Sequence, residues 1–366
     1  LATPSGMADN RNRPCAASPM KLNLFPIVAG AALALAAVSC KKSSDAPQAD
    51  GSAAGGANSP AAAGNPDDPA VLKLRWPVGG RFGHRMEVAQ TTQIPAMPGI
   101  PGSRPATQEM NMGQEYSLNV LRERPGGGRE VELEFQSVNL SVSMGGNEVL
   151  GFDTRGEATG DESNPAVKPF RQMVGQKLKL LFDASNTVER VEGMKEFQQK
   201  VFGNPDGSSN PMASMFNEDS IKQLVSQGRD LPAQPVKPGA TWPSKFEVTM
   251  GPLGKVMLDL TYTFKGWEQR EQRRCAALTY TGSIGPNTGD PNSPFGAMMS
   301  VSGGQCSGKA WFDPARGMII DNLFDQTIQM RMKLPGQPGV GAGAAPPVET
   351  SLKQNVSIKL VEESRK

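Results

Sequence analysis

The chain has 366 residues and carries 38 Lys plus Arg against 36 Asp plus Glu, a formal net charge of +2. That balance excludes the basic stripe a nucleic-acid binder needs to neutralise phosphates. One histidine among 366 residues excludes a histidine-rich metal centre, and it leaves a Cys/His zinc site short of ligands.

In chain order, the first informative stretch is residues 20–42. Lys21 follows Met20, and an apolar run from about Leu22 to Val38 is broken only by Asn23, Pro26 and Gly30. Ala37, Val38 and Ser39 then place small residues before Cys40. The stretch resembles a bacterial lipoprotein signal peptide with its lipobox, Ala37 standing where that pattern more often has Leu. A signal anchor is the alternative reading, for which the apolar core is short and interrupted. The resemblance implies a diacylglyceryl thioether on Cys40 and cleavage between Ser39 and Cys40. Two acyl chains satisfy the requirement for more than one chain in lasting attachment. Lys41 after the cysteine, by resemblance to enterobacterial sorting, implies an outer-membrane address facing the periplasm over an inner-membrane one. Residues 1–19 do not fit this scheme and read as a misassigned N-terminal extension, with Met20 or Met7 as the start. Removing residues 1–39 takes away Arg11, Arg13, Lys21 and Asp9, leaving 35 charges of each sign.

Residues 40–70 contain no aromatic and no large aliphatic side chain after the cysteine. Such a segment buries too little apolar surface to offset the entropy of ordering, so the expectation is a disordered tether. About 30 flexible residues have an r.m.s. span of roughly 30 Å.

From 71 to 362 the expectation is one β-rich globular domain, mainly β within the α+β class, with curved antiparallel sheet. Apolar residues alternate at Tyr116, Leu118 and Val120; at Val131, Leu133 and Phe135; and at Val138, Leu140, Val142 and Met144. The register slips by one at Gln136-Ser137, which predicts a β-bulge or bend there. Further strands follow at Phe246–Met250, Val256–Phe264, Ile328–Met332 and Val356–Leu360, each with one apolar and one polar face. Helix is expected only in a central segment, about 190–228. It comprises Gly193–Phe202 and a second helix opened by Asn217 as N-cap, with Ile221, Leu224 and Val225 on one face and Gly228 as C′ residue.

A weak repeat is visible. Residues 78–82 (VGGRF) are similar to 238–242 (PGATW), and residues 182–188 (FDASNTV) to 312–318 (FDPARGM), with Asn186 and Gly317 at turn positions needing positive φ. This predicts a duplicated β-unit with halves 71–190 and 229–362. Two Pro/Gly-rich tips, Ile94–Thr107 and Leu334–Pro347, read as exposed loops. Gly126–Gly128 and Gly303-Gly304 read as hairpin glycines.

A lipobox, a low-complexity tether, Leu72–Trp76, Gly79–Phe82, Asp219–Leu224, and above all Val236-Lys237-Pro238-Gly239-Ala240-Thr241-Trp242 together resemble a family of bacterial lipoproteins of unknown function. The resemblance spans roughly 71–362. It implies an extracytoplasmic β-rich domain and supplies no catalytic residues.

Chemistry is sparse. His84 reads as an ordinary strand histidine, without a G-x-S-x-G elbow. Asp183 and Asp313, each following a Phe at a turn, read as carboxylates bonding their own turn. Cys275 and Cys306 are a candidate disulfide in an oxidising compartment, with two buried free thiols as the alternative. Met194, Phe197, Met212, Met215 and Phe216 read as core, or else as the lining of an apolar cavity. The expectation is a protein without enzymatic activity, cofactor, metal or nucleic-acid partner. It is a membrane-anchored binding or structural lipoprotein of the cell envelope whose partner is an envelope protein. The alternatives are a periplasmic carrier of lipid or another apolar ligand and, further off, a hydrolase using paired carboxylates.

Overall fold

The structure is a computed structural model. It describes residues 65–96, 103–156, 164, 166–203, 216–226, 228, 231–250, 253–289, 298–333 and 347–365. Among these, alternating apolar and polar side chains build twelve strands. They are β1 (Gly80–Ile94), β2 (Ala106–Glu123), β3 (Arg129–Met144), β4 (Asn147–Asp153), β5 (Lys177–Phe182), β6 (Val188–Glu192), β7 (Thr241–Thr249), β8 (Lys255–Arg270), β9 (Arg273–Ile284), β10 (Met299–Asp313), β11 (Met318–Met332) and β12 (Val348–Arg365). All join one open antiparallel sheet in the order β6-β5-β3-β2-β1-β12-β11-β10-β9-β8-β7, with β4 paired to β3. The expected antiparallel, mainly β architecture is therefore the observed one.

The sheet is two consecutive meanders welded along β1 and β12, whose ladder runs from Gly80↔Arg365 to Gln93↔Ser351. Each meander opens after a glycine in the left-handed region, Gly79 at φ 78° and Gly239 at φ 88°. In each, the Phe-Asp turn joins the fourth and fifth strands of the path, β5 to β6 and β10 to β11. Asn186 (φ 63°) and Gly317 (φ 69°) supply the positive φ both turns need.

One face of the sheet carries the core. Phe82, Met86 and Val88 of β1 are buried with Tyr116 and Leu118 of β2, Ile358 and Val356 of β12, and Phe324 of β11, and this cluster continues through both meanders. The register slip in β3 is a bulge: Tyr116 pairs with Phe135 and Glu115 with Ser137, leaving Gln136 extra. The bulge keeps both Phe135 and Val138 on the buried face. Gly303 and Gly304 are not at a hairpin tip as expected. They sit inside β10 at a second bulge, where a Cβ on Gly304 would lie 2.5 Å from Thr327 O.

Among the described residues three short helices accompany the sheet: α1 (Lys168–Met173), α2 (Met194–Phe202) and α3 (Glu218–Val225). The expected central pair is present, and α1 lies outside it. Six residues hold too little periodicity to be read from sequence; Pro169 in its first turn is the one local cue. Phe197 of α2 packs on Phe135 and Phe216, so the aromatic residues set aside as core or cavity lining are core; Met212 and Met215 lie outside the described residues.

Helix α3 begins as its sequence predicts, Asn217 Oδ1 accepting from Ser220 N at 2.8 Å. It ends earlier: Ser226 is the C-cap, and Gly228, at φ 76°, belongs to the next turn, where a Cβ would meet Leu231, Ile319 and Leu74 at 3.2–3.3 Å. The helix bridges the two outermost strands of the sheet. Glu218 Oε1 accepts from Val191 N (3.2 Å) and Lys222 Nζ donates to Glu189 O (2.9 Å), both on β6. The Gln223 amide, turned to suit its neighbours, accepts from Thr249 N (2.6 Å) and donates to Thr249 O (3.3 Å) on β7. A side chain thus continues the ladder where no further strand follows.

The segment before β1 straps the second meander. Ala70 makes an isolated bridge with Val236, and Trp267 Nε1 donates to Asp68 O at 2.8 Å. The Val236–Trp242 motif has a structural explanation. Gly239 N donates to Phe264 O, Phe264 N donates to Ala240 O, and Trp242 stacks on Tyr262 at 5.7 Å. The stack runs on through Tyr280 to Phe324, over Gly308, where any Cβ would strike the Tyr280 ring.

Candidate functional site

The face of the sheet opposite the core holds an open groove of about 470 Å³ across its central strands. Two cross-strand rows form it. One reads Asn139, Gly113, Glu87, Ser357 and Leu323 over β3, β2, β1, β12 and β11. The other reads Asn111, Ala89, Asn355 and Asp325 over β2, β1, β12 and β11. Neighbouring strands are about 4.8 Å apart, so each row presents its side chains at fixed spacing. Small residues at the centre, Ala89, Gly113 and Ser357, make the hollow. Gly113 is required there: Asn139 lies across it, Oδ1 accepting from Gly113 N at 3.1 Å, and a Cβ would meet Asn139 Nδ2 at 2.6 Å.

The lining mixes polar and apolar surface, and its charged groups are acidic. Glu87 and Asp325 are exposed carboxylates, and Asn355 Nδ2 donates to Asp325 Oδ1. No lysine, arginine, histidine or cysteine lines the groove. Leu323, 40 % exposed, is its one sizeable apolar group at the surface. Carboxylate oxygens accept, amides donate and accept, and the Ser357 hydroxyl does both, so the groove is equipped to hold a hydrogen-bonding ligand. Sequence reading missed these residues because each falls at the outward position of an alternating strand. The pattern there states only that a side chain faces solvent.

The residues singled out from sequence lie elsewhere. His84 is on the core face, 4 % exposed and stacked on Tyr116 at 5.2 Å. Burial pushes its pKa down to about 4, a backbone hydrogen bond at Phe82 opposing, so the ring is neutral at pH 7. Asp183 Oδ1 accepts from Ser185 N (2.9 Å) and Thr187 N (2.8 Å), and Asp313 Oδ1 from Ala315 N (2.9 Å). Both carboxylates bind their own turns, as read. Arg273 and Arg316 stand near the Asp313 carboxylate at 3.6 and 3.9 Å.

The disulfide expectation is overturned. Cys275 and Cys306 are both buried and free. On the β9–β10 ladder Cys306 faces Gly282 while Ala276 faces Phe312, which puts the two cysteines about 20 Å apart along the strands. Burial pushes both thiols up to about 12, with the Asp313 charge adding to the effect at Cys275, so neither is a nucleophile at neutral pH. Ser39 and Cys40 lie outside the described residues. Among the described residues no three His, Cys, Asp or Glu side chains group as a metal-binding set, and no helix is long and apolar enough to cross a membrane.

No curated protein matches the chain. Among solved structures, one of lipid–protein interactions in lipovitellin is 10 % identical with a TM-score of 0.41, over 80 % of this chain and 26 % of that one. The chain thus spans about a quarter of the lipovitellin chain it matches. An outer membrane channel from Pseudomonas putida F1 is 10 % identical with a TM-score of 0.17, over 80 % of this chain and 98 % of that one. Residues 127–319, which include the Val236–Trp242 motif, match a sequence family, and the chain belongs to that family, described as "Family of unknown function (DUF6263)".

Proposed function

We propose that the chain is a non-catalytic binding protein of the cell envelope, held outside the cytoplasm by lipid on Cys40, with the groove over β2, β1, β12 and β11 as its recognition surface. The groove carries this reading. Its volume falls within the about 300–1,000 Å³ typical of ligand sites, and its floor is set by a glycine that the neighbouring Asn139 requires. His84 and both thiols, buried away from the groove, support the non-catalytic part.

Filling the hollow tests the site. The intact chain is expected to cosediment with a detergent-washed envelope fraction. Ser357→Arg should abolish cosedimentation, while Lys245→Arg on strand β7 leaves it unchanged. Equal cosedimentation of all three chains would remove the groove from the proposal. For the anchor, a labelled fatty acid should enter the wild type and not Cys40→Ser; label in both would sink the lipid attachment.

A carrier of apolar ligand is the second reading, and helix α3 favours it. The helix spans the two outermost strands through three polar links and one apolar face, so its displacement would open the methionine- and phenylalanine-rich core. Native mass spectra of the chain taken from membranes should then show a co-purifying lipid mass. Spectra of the bare chain only would reject this reading.

A further inference from the structure

We infer that the groove is a carbohydrate subsite, taking a neutral or amino-bearing oligosaccharide. This rests on the groove being the recognition surface and names its ligand class. Elimination carries the first half. Strands β2, β1, β12 and β11 are each hydrogen-bonded on both sides, so an extended peptide finds no free backbone edge to pair with. Two carboxylates without a lysine or arginine in the lining turn away phosphates, sulfates and carboxylates. The groove is open, and of its apolar side chains Val88, Phe324 and Val356 are buried, so an acyl chain finds no apolar walls to enclose it.

Complementarity carries the second half. A sugar hydroxyl donates and accepts, and the groove answers in kind. Glu87 and Asp325 accept; Asn111, Asn139, Asn355 and Ser357 offer both functions. An organic cation would use only the two carboxylates, one of which already takes the Asn355 amide proton. It would leave the amide donors idle. Ala89, between Asn111 and Asn355, and Leu323, beside Ser357, suit the C–H face of a pyranose ring. The two rows cross the strands side by side, which favours a chain of rings over a single one.

The intact chain would be applied to an array of neutral and amino oligosaccharides, and the best hit titrated by calorimetry. Binding is expected, with affinity lowered about tenfold or more in Asp325→Ala and in Asn111→Ala, the loss of one strong hydrogen bond each. Urea midpoints of both variants should match the wild type, since both side chains are exposed. For a neutral hit, affinity should hold within about twofold from low to physiological ionic strength, because no ion pair forms; for an amino-bearing hit it should fall modestly, by the one pair to a groove carboxylate. A blank array, from a chain that still cosediments with envelope in a Ser357-dependent way, rejects the carbohydrate and leaves the groove. Binding that survives both substitutions places the sugar elsewhere. Spermidine binding that falls steeply with salt replaces the sugar with an organic cation.

Discussion

Acid acts on this molecule first through His84. Unfolded, the imidazole takes a proton below about pH 6.5; folded, burial delays protonation to about 4. Stability is therefore full above pH 6.5 and is lost as pH falls from 6.5 toward 4, to a limit of about 3 kcal/mol. Carboxylates held low by cationic partners, such as Glu130 beside Arg122, give up their share only below the ordinary carboxylate range. The interval between those two ranges thus isolates the histidine. Urea unfolding of wild type and His84→Phe should show a falling midpoint for the first and a flat one for the second between about pH 6.5 and 5. Parallel slopes would mean the ring is not the titrating group. Gln326, Gln354 and Gln90 form a second residue-scale feature, three amides in one buried cross-strand row. Gln326 donates to Gln354, Gln354 to Gln90 at 3.3 Å, and Gln90 to Thr92 Oγ1 at 3.4 Å. Gln354→Leu strands a donor and an acceptor at once and is expected to cost about 2 kcal/mol by urea denaturation. A neutral effect would mean that water already serves these amides.

Among the elements, α3 turns a short sequence into a fastener. Its eight residues gain little from helix propensity alone, so the cap, the buried face and the polar links to β6 and β7 must hold it. Asn217→Ala removes the cap bond to Ser220 N and should cost about 1 kcal/mol. Amide exchange at Thr249 and Val191 should quicken with it, because both backbone groups depend on the helix. Unchanged exchange there would show the edges are protected by something else. The strands, the β3 bulge and the Asn217 cap were legible because each is written locally: a period of two, a one-residue slip, a residue type at a defined place. The Asp183 and Asp313 turns were legible for the same reason. The groove was not, since it arises from strands β1 and β12 meeting, and pairing of distant segments leaves no local mark. The cysteine pairing failed on the same point: two cysteines on adjacent strands say nothing of register until the ladder is known.

Over the whole molecule, the core passes without interruption across the β1–β12 ladder. The two meanders should therefore unfold together, with tryptophan fluorescence and far-ultraviolet circular dichroism giving coincident transitions. Separate transitions would mean two independently stable halves. The ladder also sets an order of events. It joins segments far apart in sequence; the hydrogen bond from Thr350 to Gln93 O spans 257 residues. Closing so long a loop costs entropy before any contact repays it, so folding should be slow for the molecule's size. A chain emerging from its amino end would carry β1 with one side unpaired until β12 arrived, more than 250 residues later. During that time the future centre of the sheet is an exposed edge, open to the wrong partner.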